Sequence, residues 1–321
     1  MEVSIDFTVA IPTYNGGDRL PAVLEKLQAQ IKTEKIAWEI IIIDNNSSDN
    51  TARVIEDLQK NWHSPFPLKY YFEPKQGLAF ARGRAIAEAK GDLVGFIDDD
   101  NLPAPDWVFE AFQFGKNYPK AGAYGGQIHA QFEVQPPENF DNIIGFLAIR
   151  ERGDKPNLYK PEVLSLPPGA GLVVRKQVWC DCVPDTPILS GRSGNSLTSG
   201  SDWEPLIHMH KQGWEIWYNP AMHLDHLIPA ERLEREYLLK LIRGSCSCFI
   251  PLKMTLAKPW QKPTIIARTL LGNSYKAIRY FIQNRKRLKQ DIVAKCEMEI
   301  YLSRIYSVFF YINSSHQKKI K

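Results

Sequence analysis

Four consecutive isoleucines, Ile40, Ile41, Ile42 and Ile43, preceded by Trp38 and Glu39, narrow the folds open to this 321-residue chain. A β-branched run with no polar side to turn toward water reads as a strand covered on both faces, which is how strands of parallel sheets are buried. The flanking sequence agrees. Residues 7–11 read as an earlier strand, and over 18–31 Leu20, Val23, Leu24, Leu27 and Ile31 recur at helical spacing. After the isoleucines, Asp49 caps a helix carrying Val54, Ile55 and Leu58. A third strand at 68–72, a third helix at 78–89 and a fourth strand at 92–97 follow. Strand and helix alternating through the first 100 residues predict an α/β fold, with a mainly parallel sheet flanked by helices and joined by right-handed crossovers.

The fourth strand runs directly into Asp98, Asp99, Asp100 and Asn101. In open α/β sheets, ligands bind at the carboxyl ends of the strands. Three adjacent carboxylates repel one another. They suit a divalent cation with oxygen-rich coordination, Mg²⁺ or Mn²⁺, which could carry a diphosphate, or else form a solvated acidic turn capping the next helix. Two further turns share this sheet edge: Pro12 to Gly17 after the first strand and Asp44 to Asp49 after the second. Tyr14 offers a ring to a nucleobase, and Asp44 an acceptor for a base N–H or a ribose hydroxyl. Asn, Gly, Ser and Asp are also ordinary turn residues.

Beyond Asn101 the pattern loosens. Pro103 and Pro105 are expected to open a helix containing Trp107, Val108, Phe109, Ala111 and Phe112. Residues 131–165 read as long connecting loops, and Gly169, Ala170 and Gly171 as either a plain turn or a close backbone approach to an acceptor. The Gly/Ser-rich stretch 190–201 suggests a mobile loop leading into Asp202, Trp203, Glu204 and a helix through Gln212. Asp202 caps that helix or does chemistry. His223 and His226 lie in a late strand-like run at 222–227.

Hydrophobic content of 44% and charged content of 24% fit a folded protein. Net charge is only +4, but residues 262–321 hold 13 Lys/Arg against three Asp/Glu, a local +10 that leaves −6 elsewhere. The basic residues alternate with Ala277, Ile278, Tyr280, Phe281 and Ile282, and Tyr301, Ile305, Val308, Phe309 and Ile312 form an apolar stripe. Such helices either pack on the preceding domain or lie on an anionic membrane surface. No nucleic-acid module accompanies the charge. Five cysteines lack zinc-site spacing. Their odd number and the absence of a basic leader favour a reduced, cytoplasmic protein. No apolar run reaches the roughly 18 residues of a membrane span.

The segments Val9 to Asn15, Ile43 to Asp49, Ala81-Arg82, Phe96 to Asp100 and Ser201 to Glu204, in that order, resemble family 2 glycosyltransferases over about residues 6–240. Residues 220–233 and the basic tail more weakly resemble enzymes of extracellular polysaccharide assembly, including the hormogonium polysaccharide group. The resemblance implies the nucleotide-diphospho-sugar transferase fold called GT-A over 1–240, with a donor half at about 1–101 and an acceptor half at about 102–240. Residues 241–321 would form a basic helical C-terminal appendage. It implies inverting transfer of a sugar from a nucleotide-diphospho-sugar donor to a saccharide acceptor, lipid-linked or free, at or near the cytoplasmic face of a membrane. Pro12, Tyr14 and Asp44 would bind the donor nucleotide, with Arg82 ordering the pocket, Asp98 meeting the ribose and Asp99 in support. Asp100 would hold the metal with His226, and Asp202 would be the base, with Glu204 as runner-up. The chain departs from the family at Ser201, Asn45 and Gly83, where acidic residues (first two) and Asn (third) are common.

Two other classes compete. A non-catalytic sugar- or nucleotide-binding relative would lack the base or metal carboxylate, and both are present. An Asp-dependent phosphohydrolase places its Asp pair after the first strand, followed by Thr or Val, whereas here the fourth strand leads and Asn101-Leu102 follow.

Overall fold

The computed structural model describes residues 4–192 and 197–317. Residues 1–3, residues 193–196 of the Gly/Ser-rich loop, and Lys318, Lys319 and Lys321 of the basic tail lie outside the described residues. The chain falls into two compact units. One comprises Met1–Gln131, Ile149–Ser190 and Ser201–Leu227, the other Phe132–Ala148, Gly191–Gly200 and Ile228–Lys321.

The first unit opens with the anticipated alternation: β1 (Phe7–Thr13), α1 (Leu20–Gln28), β2 (Trp38–Asp44), α2 (Thr51–Lys60), β3 (Leu68–Phe72), α3 (Leu78–Glu88) and β4 (Leu93–Phe96). β1 pairs in parallel with both β2 and β4, and β2 in parallel with β3. Every residue of β2 is buried, as the isoleucine run requires. Each fully buried isoleucine contributes roughly 1.5–3 kcal/mol of transfer free energy.

The second half of the sheet was less legible. β5 (Asn101–Pro103) precedes α4 (Trp107–Asn117), so Pro103 ends a strand and does not open the helix. β5 lies at the sheet's end, where a residue lacking an N–H donor is tolerated. β6 (Ala121–Phe132) follows, then β7 (Asn157–Leu158), β8 (Val173–Arg175), α5 (Lys176–Cys182), α6 (Trp203–Lys211) and β9 (Glu215–Ile228). The strand order is β3-β2-β1-β4-β8-β6-β9-β5, with β7 on β9. β6 escapes a hydrophobic-pattern reading because of its glycines, yet these are packing requirements. A Cβ at Gly122 or Gly125 would come within 2.8 Å of Trp214 or Pro167, and one at Gly126 would overlap Met222.

The second unit contains α7 (Arg235–Ser247), α8 (Phe249–Leu256), α9 (Lys262–Asn284), α10 (Arg287–Gln290) and α11 (Ile292–Gln317). α11 packs on α7, α8 and α9. Ile250, Met254 and Val308 form a buried cluster against which Ile265, Ile266 and Leu270 of α9 pack. The expected stripe on α11 therefore divides, with Val308 buried and Phe309 53% exposed. The unit begins at 228 and recruits earlier chain because the 3₁₀ turns Phe140–Asn142 and Ile144–Leu147 pack on α11 and α7. No described helix is long and apolar enough to cross a membrane.

At the amino ends of the parallel strands sits a buried anion. Glu39, fully buried in β2, accepts hydrogen bonds from Thr8 Oγ1 (3.0 Å), the Lys90 N–H (2.7 Å) and Lys69 Nζ (2.6 Å). Glu39→Ala should cost about 2–4 kcal/mol, because it strands buried donors. Chemical denaturation would register the loss as a lower midpoint, with turnover per folded molecule unchanged.

Candidate active site

At the carboxyl ends of the parallel strands, the turns after β1, β2 and β4 converge. The first two are stitched together by Asn15, which adopts a left-handed backbone (φ 50°). Its N–H donates to Ser47 Oγ (2.9 Å), and its Oδ1 accepts from the Ser48 N–H (2.8 Å). Beside it, Tyr14 is 36% exposed, which leaves its ring available to a planar ligand. Pro12, two residues earlier, is buried in β1 opposite Ile43.

Asp44 ends β2 almost wholly buried, accepting from the Ser47 N–H (2.9 Å) and the Tyr70 hydroxyl (3.0 Å). Burial, and then the Asp44 carboxylate, push the Tyr70 phenol up to about 12. The neighbouring Asn45 has a role no carboxylate could fill. Its Oδ1 accepts the Gly77 N–H (2.8 Å), while its Nδ2 donates to the carbonyls of Lys75 (2.8 Å) and Glu73 (3.3 Å). That amide fixes the loop between β3 and α3, which explains one departure from the family pattern. At another, Gly83, an added Cβ would meet open space.

The three carboxylates after β4 have three different surroundings. Asp98 is about one-third exposed and lies 3.9 Å from Arg82 Nη2. Asp99 is buried; Arg19 donates to both its oxygens at 3.0 Å, and Thr13 Oγ1 adds a 2.5 Å bond. Burial pushes the Asp99 carboxyl upward, against the pull of Arg19 and Thr13. Asp99 is thus a brace between turns. Asp100 lies 3.5 Å from His226 Nε2, because Asn101 of β5 pairs directly with His226 of β9. His223, three residues earlier, takes the opposite strand face. Its Nδ1 meets His129 Nε2 at 2.9 Å, away from the Asp triplet.

Arg82, on α3, is 2% exposed, and its Nε and Nη1 have no hydrogen-bond partner among the described residues. Its guanidinium lies over the Phe96 ring and directly against Gly169, where a Cβ would overlap it. The Gly169 N–H in turn donates to Asp202 Oδ2 at 2.9 Å. Asp202 occupies the N-cap position of α6 but makes no side-chain cap bond. Its carboxylate is therefore not spent on the helix. Glu204 is: buried at 3% exposure, it accepts the N–H groups of Ile188 (2.8 Å) and Leu189 (2.9 Å). The adjacent Ser190 carbonyl accepts the Ala79 N–H at the start of α3. Glu204 is a scaffold for that loop.

Sequence reasoning passed over Arg19, Thr13 and Tyr70 as contributors, and it read Gly169 as a plain turn or a backbone approach to an acceptor, whereas the structure sets it against Arg82 and Asp202. Arg19 had a signal: it is the basic residue in the turn after β1, at the sheet edge that carries three carboxylates.

A cation's fit can be judged from Asp100 and His226. Two donors of one metal with bonds of about 2.1 Å lie roughly 3 Å apart, close to the observed 3.5 Å. No cluster of three or more His, Cys, Asp or Glu is present among the described residues, but Mg²⁺ and Mn²⁺ bound with phosphates commonly use one or two protein ligands. The separation is compatible with two ligands of one cation, and an imidazole among them favours Mn²⁺ over Mg²⁺.

Parallel strands whose turns gather at one edge, continued by an antiparallel half that returns β9 to that edge, constitute the GT-A fold of sugar transferases. The mannosyltransferase PcManGT from Pyrobaculum calidifontis, solved with GDP-Man and Mn²⁺, superposes with a TM-score of 0.59 at 17% identity, covering 96% of this chain and 89% of that one. The family model for Glycosyl transferase family 2 matches residues 8–178, more than half the chain, and the protein belongs to that family of transferases. Among relatives, the uncharacterized glycosyltransferase YfnE of Bacillus subtilis is 29% identical over 45% of this chain and 38% of its own length. The succinoglycan biosynthesis protein ExoM of Rhizobium meliloti is 22% identical over 74% of this chain and 72% of its own. Family membership sets aside the phosphohydrolase reading.

Asn45→Asp should destabilise the fold by about 1–3 kcal/mol, since an anion would face two carbonyls it cannot donate to. The melting temperature measures this, and Gly83→Ala, pointing into open space, is the matched control.

Proposed function

We propose that the protein is an inverting glycosyltransferase that moves a sugar from a nucleotide-diphospho-sugar to a saccharide hydroxyl during extracellular polysaccharide assembly. The arrangement at Gly169 carries this reading: one glycine abuts the buried Arg82 guanidinium, which approaches Asp98, and orients Asp202 through its N–H. A donor-side arginine and a candidate base thereby share one turn.

Tyr14 and Asp44, backed by Pro12, hold the donor nucleotide, and Asp98 meets the ribose. Asp99 keeps the turns in place, while the unpartnered donors of Arg82 order the donor pocket. Asp100 and His226 would hold Mg²⁺ or Mn²⁺, a Lewis acid that neutralises the departing diphosphate. Asp202 accepts the proton of the acceptor hydroxyl as its oxygen attacks the anomeric carbon. The bond from that carbon to the phosphate oxygen breaks, and the nucleoside diphosphate leaves with the electron pair. Oδ2 of Asp202 is anchored by Gly169, which presents Oδ1 for the proton. The likeness to a succinoglycan biosynthesis protein supports a polysaccharide product. The five free thiols accord with a cytoplasmic site of action.

Nucleoside diphosphate release across a panel of nucleotide sugars, with and without divalent metal, should single out one donor. Asp202→Asn should keep donor affinity and lower transfer by about 10²–10⁴-fold, whereas Asp100→Asn should lose metal-dependent donor binding. Full turnover in Asp202→Asn would remove it as the base. Gly169→Ala should depress kcat by about tenfold or more through displacement of Arg82 and Asp202, with the fold intact by circular dichroism.

A further inference from the structure

Helix α9 is apolar on two sides. One side carries the buried Thr269, Asn273 and Ala277 and packs Ile265, Ile266 and Leu270 on the helical core. The other carries Leu271, Tyr275, Ile278 and Ile282, exposed at 73%, 65%, 62% and 66%, with Phe281 at 58% beside them. Their spacing of four, three and four residues places the first four in one line along the helix. An ordinary surface helix would present charge there. Trp260, just before α9, is 73% exposed as well.

The charge in the surrounding sequence is mostly of one sign, the nearby acids being engaged, Asp291 with Arg287 and Glu297 with the Tyr280 hydroxyl. Residues 237–290 contain 12 Lys/Arg and no Asp or Glu. Arg268 and Arg279 flank the line, and Arg285, Lys286 and Lys289 continue past its end, all exposed. A second copy of this chain would bring like charge against like. A bilayer bearing anionic headgroups matches both components: apolar and aromatic side chains enter the headgroup and acyl boundary, while Arg and Lys meet lipid phosphates. Because no described helix can span a membrane, α9 would lie in the interface plane.

We propose that the exposed Leu271-Tyr275-Ile278-Ile282 face of α9, with Trp260 and its basic flanks, is a docking surface for an anionic phospholipid bilayer. The proposal is independent of the transfer chemistry, and its test needs no sugar donor.

The 321-residue chain is floated with vesicles of zwitterionic lipid alone or with about one-third anionic lipid, at low and high salt. Binding should require anionic lipid and weaken with salt. Ile278→Glu/Ile282→Glu should reduce it at least about tenfold, and Arg268→Glu/Arg279→Glu should weaken it and flatten its dependence on anionic lipid. Because all four side chains are exposed, melting temperature should remain at the wild-type value. Absence of flotation at low salt, or wild-type binding by Ile278→Glu/Ile282→Glu, overturns the proposal. So does light scattering that shows a dimer dissociated by this variant without any vesicle binding, which would assign the face to self-association.

Discussion

Mutual repulsion among Asp98, Asp99 and Asp100 is the constraint around which the first unit is arranged. Three adjacent carboxylates at a strand end cannot share one surrounding, and the fold gives each a nitrogen-bearing partner from a different element. Asp98 is approached by Arg82 from α3, Asp99 is clamped by Arg19 from the turn after β1, and Asp100 meets His226 from β9. The first two partners come from the parallel half, and the third requires the antiparallel half to fold back. The acidic edge thus depends on both halves of the sheet.

Much of the parallel half could be read from side-chain periodicity, because each element there has one dominant signal. The isoleucines announce a strand covered on both faces, and Leu20, Val23, Leu24 and Leu27 mark the buried side of a helix. The antiparallel half is held together by close backbone approach. Its glycines carry no hydrophobic signature, so β6 goes unassigned by pattern except at its last two residues, which fall in the stretch read as loop, although a Cβ would clash at each of three positions. Pro103 misled in a related way: proline suits both a first helical turn and a sheet edge, and pairing with Leu224 decides for the edge.

Within the site, residue type was readable and duty was not. Asp202 and Glu204 both stand near the start of one helix, and local sequence offers little to separate them. Tertiary contacts do: Glu204 takes a backbone donor on each oxygen, while Asp202 receives one on a single oxygen and leaves its helix uncapped. Asn45 looked like a lost carboxylate, yet it is an amide used at both ends. Such distinctions rest on partners 15–33 residues away in sequence.

The short β5 ladder has a further consequence. Three residue pairs set its register, Asn101 with His226, Leu102 with Asp225 and Pro103 with Leu224. A slip of one position would turn every β9 side chain to the opposite face, replacing the imidazole beside Asp100 with an aliphatic or a like-charged neighbour. A chain misthreaded at this edge would keep nearly all its hydrophobic burial and lose its pairing of carboxylate with imidazole. The completed strand alignment, rather than compaction, is what creates that pair.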